Sequence, residues 1–145
     1  MAILTHIIAA EDHEIEAIGE SLNPADEWSG LEWRDIDTAK IATLHCLLTG
    51  DPFDDALARY EPIYVSAVEG TLVLRLADEA MERLAELDEE ALFEVAAELA
   101  ATEEFELEDW EDETIAAMLA DLGGLARLAD SQAQALFVWM HPLRT

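Results

Sequence analysis

A chain of 145 residues, 52% of them hydrophobic, is long enough to bury a core without metal or disulfide support and too apolar for a disordered acidic tail. Its 34 acidic residues against 7 basic ones give a formal charge of −27. Such a field repels nucleic acid and anionic membrane and attracts basic partners. The single cysteine, Cys46, excludes an internal disulfide and fits a reducing compartment. The apolar start, Met1 to Ala10, has no basic residue ahead of it and runs at once into Glu11-Asp12, unlike a signal peptide. No run reaches the roughly eighteen apolar residues of a membrane span. One cytoplasmic domain over residues 1–145 is the expectation.

In chain order, Met1 to Ala9 reads as a largely buried strand. Glu11 to Glu20 reads as a short amphipathic helix with Ile15, Ile18 and Leu22 inward, broken at Asn23-Pro24. Trp28, Leu31 and Trp33 are expected in a loop folded over the core, since three large apolar groups so close avoid water. Asp35 to Gly50 is the central helix. Asp35 or Asp37 caps its first turn, Ile41, Leu44, Leu47 and Leu48 share a face, and Gly50-Asp51-Pro52 stops it. It is apolar nearly all round, so it belongs at the centre of the fold, buried by the terminal strands and the last helix.

Asp51 to Glu61 reads as a polar connection. Ile63 to Val68 and Thr71 to Leu76 follow as strands, with Glu69-Gly70 a two-residue hairpin turn. Asp78 and Asp88 are placed to cap two helices, the first carrying Met81, Leu84 and Leu87 and the second Leu92, Val95 and Leu99. A third helix spans about Glu111 to Asp130, where Gly123-Gly124 marks a close helix contact or a kink. Ala135 to Met140 reads as a last buried strand ended by Pro142. The fold class that follows is α+β. About four strands form a small mixed or antiparallel sheet, its apolar first and last strands side by side, packed with about five helices.

The segments Ile3 to Glu20, Asp35-Ile36-Asp37, Leu44-His45-Cys46-Leu47-Leu48-Thr49-Gly50 and Gln134 to Met140 together resemble the YfbM-like family of uncharacterised bacterial proteins. That family opens with an apolar strand and an acidic helix, carries D-I-D-K-x-W-x-x-L-H-x-L-L-T-G, and ends in a G-Q-A-V-L-V-W-I type strand. The chain has one extra residue between Asp37 and Leu44, Ile41 near the family's tryptophan, and a shortened segment after Gly50. The resemblance implies an α+β fold and no established activity.

For chemistry, His45 with Asp35 or Asp37 is the one candidate acid–base set. The plainer reading of His45 is a core histidine bonded to a backbone carbonyl or to Trp33. Cys46 points about 100° away from His45 on a helix and reads as core. His6, His13 and His141 are scattered, with no metal-ligand spacing, and no cofactor motif occurs.

Half of the acidic residues lie between Asp78 and Glu113. Glu103, Glu104, Phe105, Glu108, Trp110 and Glu111 mix charge with aromatics, a pattern suited to holding a basic protein. The plainer alternative is a solvated acidic face with Phe105 and Trp110 folded inward. The expectation is a non-enzymatic protein-binding module, an inhibitor or immunity-type partner of a basic protein. Its alternative is a small enzyme or ligand-binding domain using His45 with Asp35 or Asp37 in a cleft.

Overall fold

The computed structural model describes residues 3–21, 23–66, 68 and 70–141. In order the elements are β1 (Leu4–Ala10), a 3-10 turn (Asp12–Glu14), α1 (Ile15–Glu20), α2 (Pro24–Glu27), β2 (Ser29–Arg34), α3 (Thr38–Thr49) and α4 (Phe53–Arg59). Then come β3 (Tyr64–Val65), β4 (Leu72–Arg75), α5 (Asp78–Glu86), α6 (Glu89–Ala100), α7 (Glu103–Glu106), α8 (Asp112–Ser131) and β5 (Ala135–His141). Among the described residues there are thus five strands and eight helices, more than the expected four and five, because short elements join the long ones.

The sheet is antiparallel throughout, in the order β2-β1-β5-β4-β3. The first and last strands, apolar apart from Thr5, His6 and His141, lie side by side in its interior. Both of their faces are buried. Ile7, Ala9, Leu136, Val138 and Met140 face the main helical core. Ile8, Ala10, Phe137 and Trp139 face a second core closed by Ile18 of α1, with Ile15, Trp28 and Tyr64 packed at its margin. Leu22, the other inward residue expected of that first helix, lies outside the described residues.

The segment expected as a loop over the core is the edge strand β2. Its alternation Leu31-Glu32-Trp33-Arg34 sends Leu31 and Trp33 to the main core, which is strand periodicity. Gly30 hides the signal, yet the strand depends on it. A β-carbon there would stand 2.5 Å from Ile8 Cγ2 and 2.8 Å from the Ile7 carbonyl oxygen.

Helix α3 forms as expected. The Asp37 carboxylate accepts the Lys40 amide N–H at 2.9 Å, and Gly50 takes φ +84° at the exit. Leu44 and Leu48 are buried and Leu47 is half-buried. The elements that bury them are a correction. Helix α3 packs mainly on α4, α5, α6 and α7, whereas α8 lies on the sheet against β1, β2 and β5.

Asp88 caps α6, accepting the Ala91 amide at 2.8 Å. Asp78 is instead the first residue of α5, and its carboxylate lies 3.1 Å from Arg75. The β3–β4 connection is longer than a two-residue turn. The Ser66 amide donates to the Thr71 carbonyl and the Gly70 amide to the Ser66 carbonyl, both at 2.9 Å. Gly70 has φ +76°; Glu69, like Pro142, lies outside the described residues. At Gly123 a β-carbon would stand 3.1 Å from the Leu84 carbonyl oxygen, so the glycine marks close α5–α8 contact.

Candidate functional site

His45 is fully buried at 0% exposure. Its Nε2 lies 2.7 Å from Asp51 Oδ2 and its Nδ1 lies 2.8 Å from the Tyr60 hydroxyl. The Ala77 amide donates to that same hydroxyl at 3.2 Å. The hydroxyl oxygen accepts from Ala77, so its own proton is available to His45 Nδ1. The tautomer that satisfies every donor then carries its proton on Nε2 and gives it to Asp51. This bond from His45 holds the Asp51 carboxyl below its ordinary value. The row Asp51–His45–Tyr60–Ala77 ties α3 to α4 and to the start of α5.

The carboxylates weighed as partners of His45 stand at the other end of α3. Asp37 is eight residues away, about 12 Å along a helix axis, and is spent on the cap. Asp35 has φ +61° and accepts the Ile3 amide at 3.2 Å. The carboxylate His45 finds is Asp51, delivered by the turn at Gly50, where Thr49 Oγ1 accepts the Asp51 amide at 3.2 Å. Neither the backbone carbonyl nor Trp33 is its partner.

Asp35 belongs to a different place. It closes the end of a cleft of about 750 Å³ between β2 and the α7–α8 connection. Glu32, Trp33, Arg34 and Asp35 form one wall. Glu108, Asp109, Trp110 and Glu111 form the other, with Thr114 from the first turns of α8. Five acidic residues and one arginine therefore line the cleft beside two tryptophans. The Glu32 carboxylate turns to His6 at 3.2 Å and the Glu108 carboxylate to Lys40, which leaves Asp35, Asp109 and Glu111. Asp109, like Asp35, has positive φ, at +56°. Left-handed backbone at non-glycine positions stores strain and gathers where function fixes a conformation.

Beneath the cleft, Phe105 is 1% exposed, so its expected role as a surface anchor is corrected to one in the core. It packs edge-on to Trp110 at 5.5 Å between ring centroids, and Lys40 Nζ sits 5.8 Å from its ring centre. Lys40 is itself 2% exposed. It pairs with Glu108 and lies 3.8 Å from Asp37. The Trp33 indole N–H is buried without a hydrogen-bond partner. Of the acidic–aromatic set expected from sequence, the fold brings Glu108, Trp110 and Glu111 into the cleft. Glu103 and Glu104 stand on α7, outside its lining.

One group of side chains could chelate a cation by distance. Ligand atoms of Glu11, His13 and Glu14 lie within 4.8 Å of one another. Both Glu14 oxygens already accept hydrogen bonds, from the Glu11 amide and the Trp28 indole, each at 2.9 Å. These bonds hold its carboxyl below the usual value and make the turn a cap.

The fold and this cleft define an α+β protein with one five-stranded antiparallel sheet. Among its described residues no helix is long and apolar enough to cross a membrane. No family model and no curated protein matches the chain. The chain is similar to the solved structure of YfbM, a protein of unknown function from Escherichia coli. The likeness covers 95% of this chain and 99% of that one, with a TM-score of 0.46 and 15% sequence identity.

Proposed function

We propose that this chain is a non-enzymatic protein-binding module that takes a basic segment of a protein partner into the cleft between β2 and the α7–α8 connection. An inhibitor or an immunity-type antidote acts in this way. One observation carries the reading: acidic residues of both walls, Asp35 on one and Asp109 and Glu111 on the other, line the cleft beside two tryptophans. A lysine or arginine side chain entering there meets charge-assisted acceptors and an indole face at once. The wider charge of −27 steers the same partner toward it. The burial of His45 and its pairing with Asp51 leave the enzyme reading without support. The matched motif around Asp35 and His45 supports reading the chain as a divergent relative of the YfbM-like proteins. The cytoplasm, where a lone cysteine stays reduced, is the compartment assumed.

Affinity capture from the source cell tests the proposal. The intact protein retains a basic protein. The triple variant Glu104→Lys, Glu108→Lys, Glu111→Lys loses it. Glu108 also pairs with Lys40, so the milder pair Trp110→Ala and Glu111→Gln is run beside it, with melting curves for both. Capture that persists undiminished in both variants would overturn the assignment.

A further inference from the structure

A second concavity, a groove of about 510 Å³, lies between α5, α6 and α8 and shares no lining residue with the acidic cleft. Its buried floor is Leu84, Ala116 and Gly123, and the exposed Ala117 and Ala120 of α8 line it together with Leu87, Leu92 and Phe93. Phe93 is 56% exposed, an unusual amount for so large an apolar group beside a core. Ala116 and Gly123 at the base let another backbone come close, and the leucines and Phe93 supply apolar area along the sides. The groove suits the apolar face of a helix, whose side chains recur at three- and four-residue steps.

Charge selects the occupant. Asp88, Glu89 and Glu113 stand on the rim. The one cation there, Arg127, donates to the Ala85 carbonyl at 3.3 Å and so is turned to the end of α5. A second copy of this chain would set the same acidic rim against itself in a twofold pairing, and the whole chain carries −27. A helix with lysine or arginine flanking its apolar stripe matches both the floor and the rim.

We propose that the α5–α6–α8 groove is a docking surface for a basic amphipathic helix of another protein. It is separate from the acidic cleft and does not depend on it. The probe is a fluorescein-labelled peptide of about 15 residues, near the length at which an isolated helix becomes viable. Leucine occupies one helical stripe and lysine the rest. Its control is a scrambled peptide of identical composition and charge. Anisotropy is read at about 0.15 M salt, where distant surface charges are largely screened. The patterned peptide binds the intact protein at least about tenfold more tightly than the scrambled one. Ala120→Arg, at an exposed position of the lining, and Phe93→Ala each weaken it by about tenfold, while Trp110→Ala in the cleft leaves it unchanged. Equal binding of the two peptides overturns the proposal, as does binding unaffected by both groove variants. So does a dimer in sedimentation that Ala120→Arg dissociates, because the occupant would then be a second copy.

Discussion

Replacing Tyr60 with phenylalanine deletes one oxygen atom and leaves the ring in place. That oxygen meets His45 Nδ1 at 2.8 Å and the Ala77 amide at 3.2 Å. In Tyr60→Phe both groups face an aromatic C–H instead. A buried polar group left unsatisfied costs about 1–3 kcal/mol. His45 is sealed from solvent and bears that cost in full. Ala77 is half-buried and adds at the low end, so the expected loss is about 2–4 kcal/mol. Domains of this size hold only about 5–15 kcal/mol in all. At about 2–4 °C per kcal/mol, Tm falls on the order of 4–16 °C. Urea unfolding followed by circular dichroism measures it, on the single variant, on Asp51→Ala and on the double variant. Asp51 and Tyr60 hold opposite nitrogens of one ring, so their effects couple by at least about 0.5 kcal/mol. A loss under about 0.5 kcal/mol for Tyr60→Phe, with strict additivity in the double variant, would falsify the account of this row as a tie between helices.

Three more outcomes follow from the core and the charge. Leu44→Ala empties a buried site on α3 and costs about 2–5 kcal/mol by the same unfolding assay; less than about 1 kcal/mol would mean that the helix is not packed as described. Burial pushes the His6 imidazole below its ordinary 6.5, against the pull of Glu32. The unfolded chain then binds the extra proton first, so the contribution of His6 is fully present above pH 6.5 and is lost as pH falls below it. His6→Gln should flatten the decline relative to the intact protein below about pH 6.5, and identical pH profiles would refute this. Screening relieves repulsion among the carboxylates, so Tm should rise from about 0.1 M to 1 M sodium chloride; a flat or falling Tm would show that the charges are already well dispersed.

What was legible in the sequence was what rests on local rules. Asp37 and Gly50 bracket α3 because a cap and a left-handed exit are decided within a turn. The β1 and β5 runs are apolar on both faces, save Thr5, His6 and His141, because each is covered on both sides. Strand β2 was not legible, since Gly30 breaks its pattern for the sake of a neighbour, Ile8, that only the folded sheet supplies. His45 stands out in the sequence, but its partners come from beyond a helix stop, where spacing along α3 has no bearing. The cleft was half legible. Glu108, Trp110 and Glu111 stood out by composition, while Trp33 and Asp35, more than seventy residues earlier, join them only through the path of the chain.

Lys40 is the chain's one lysine, and it lies closed between Glu108 and Asp37 above the ring of Phe105. Among the described residues, then, no side-chain amine faces solvent. Enzymes that acylate lysine or attach ubiquitin-like tags to it, and amine-reactive crosslinkers and resins, meet no accessible lysine among the described residues. Labelling of Lys40 in the intact protein would report the opening of the contact between α3 and the segment after α7, which makes the one amine in the interior a probe of local unfolding.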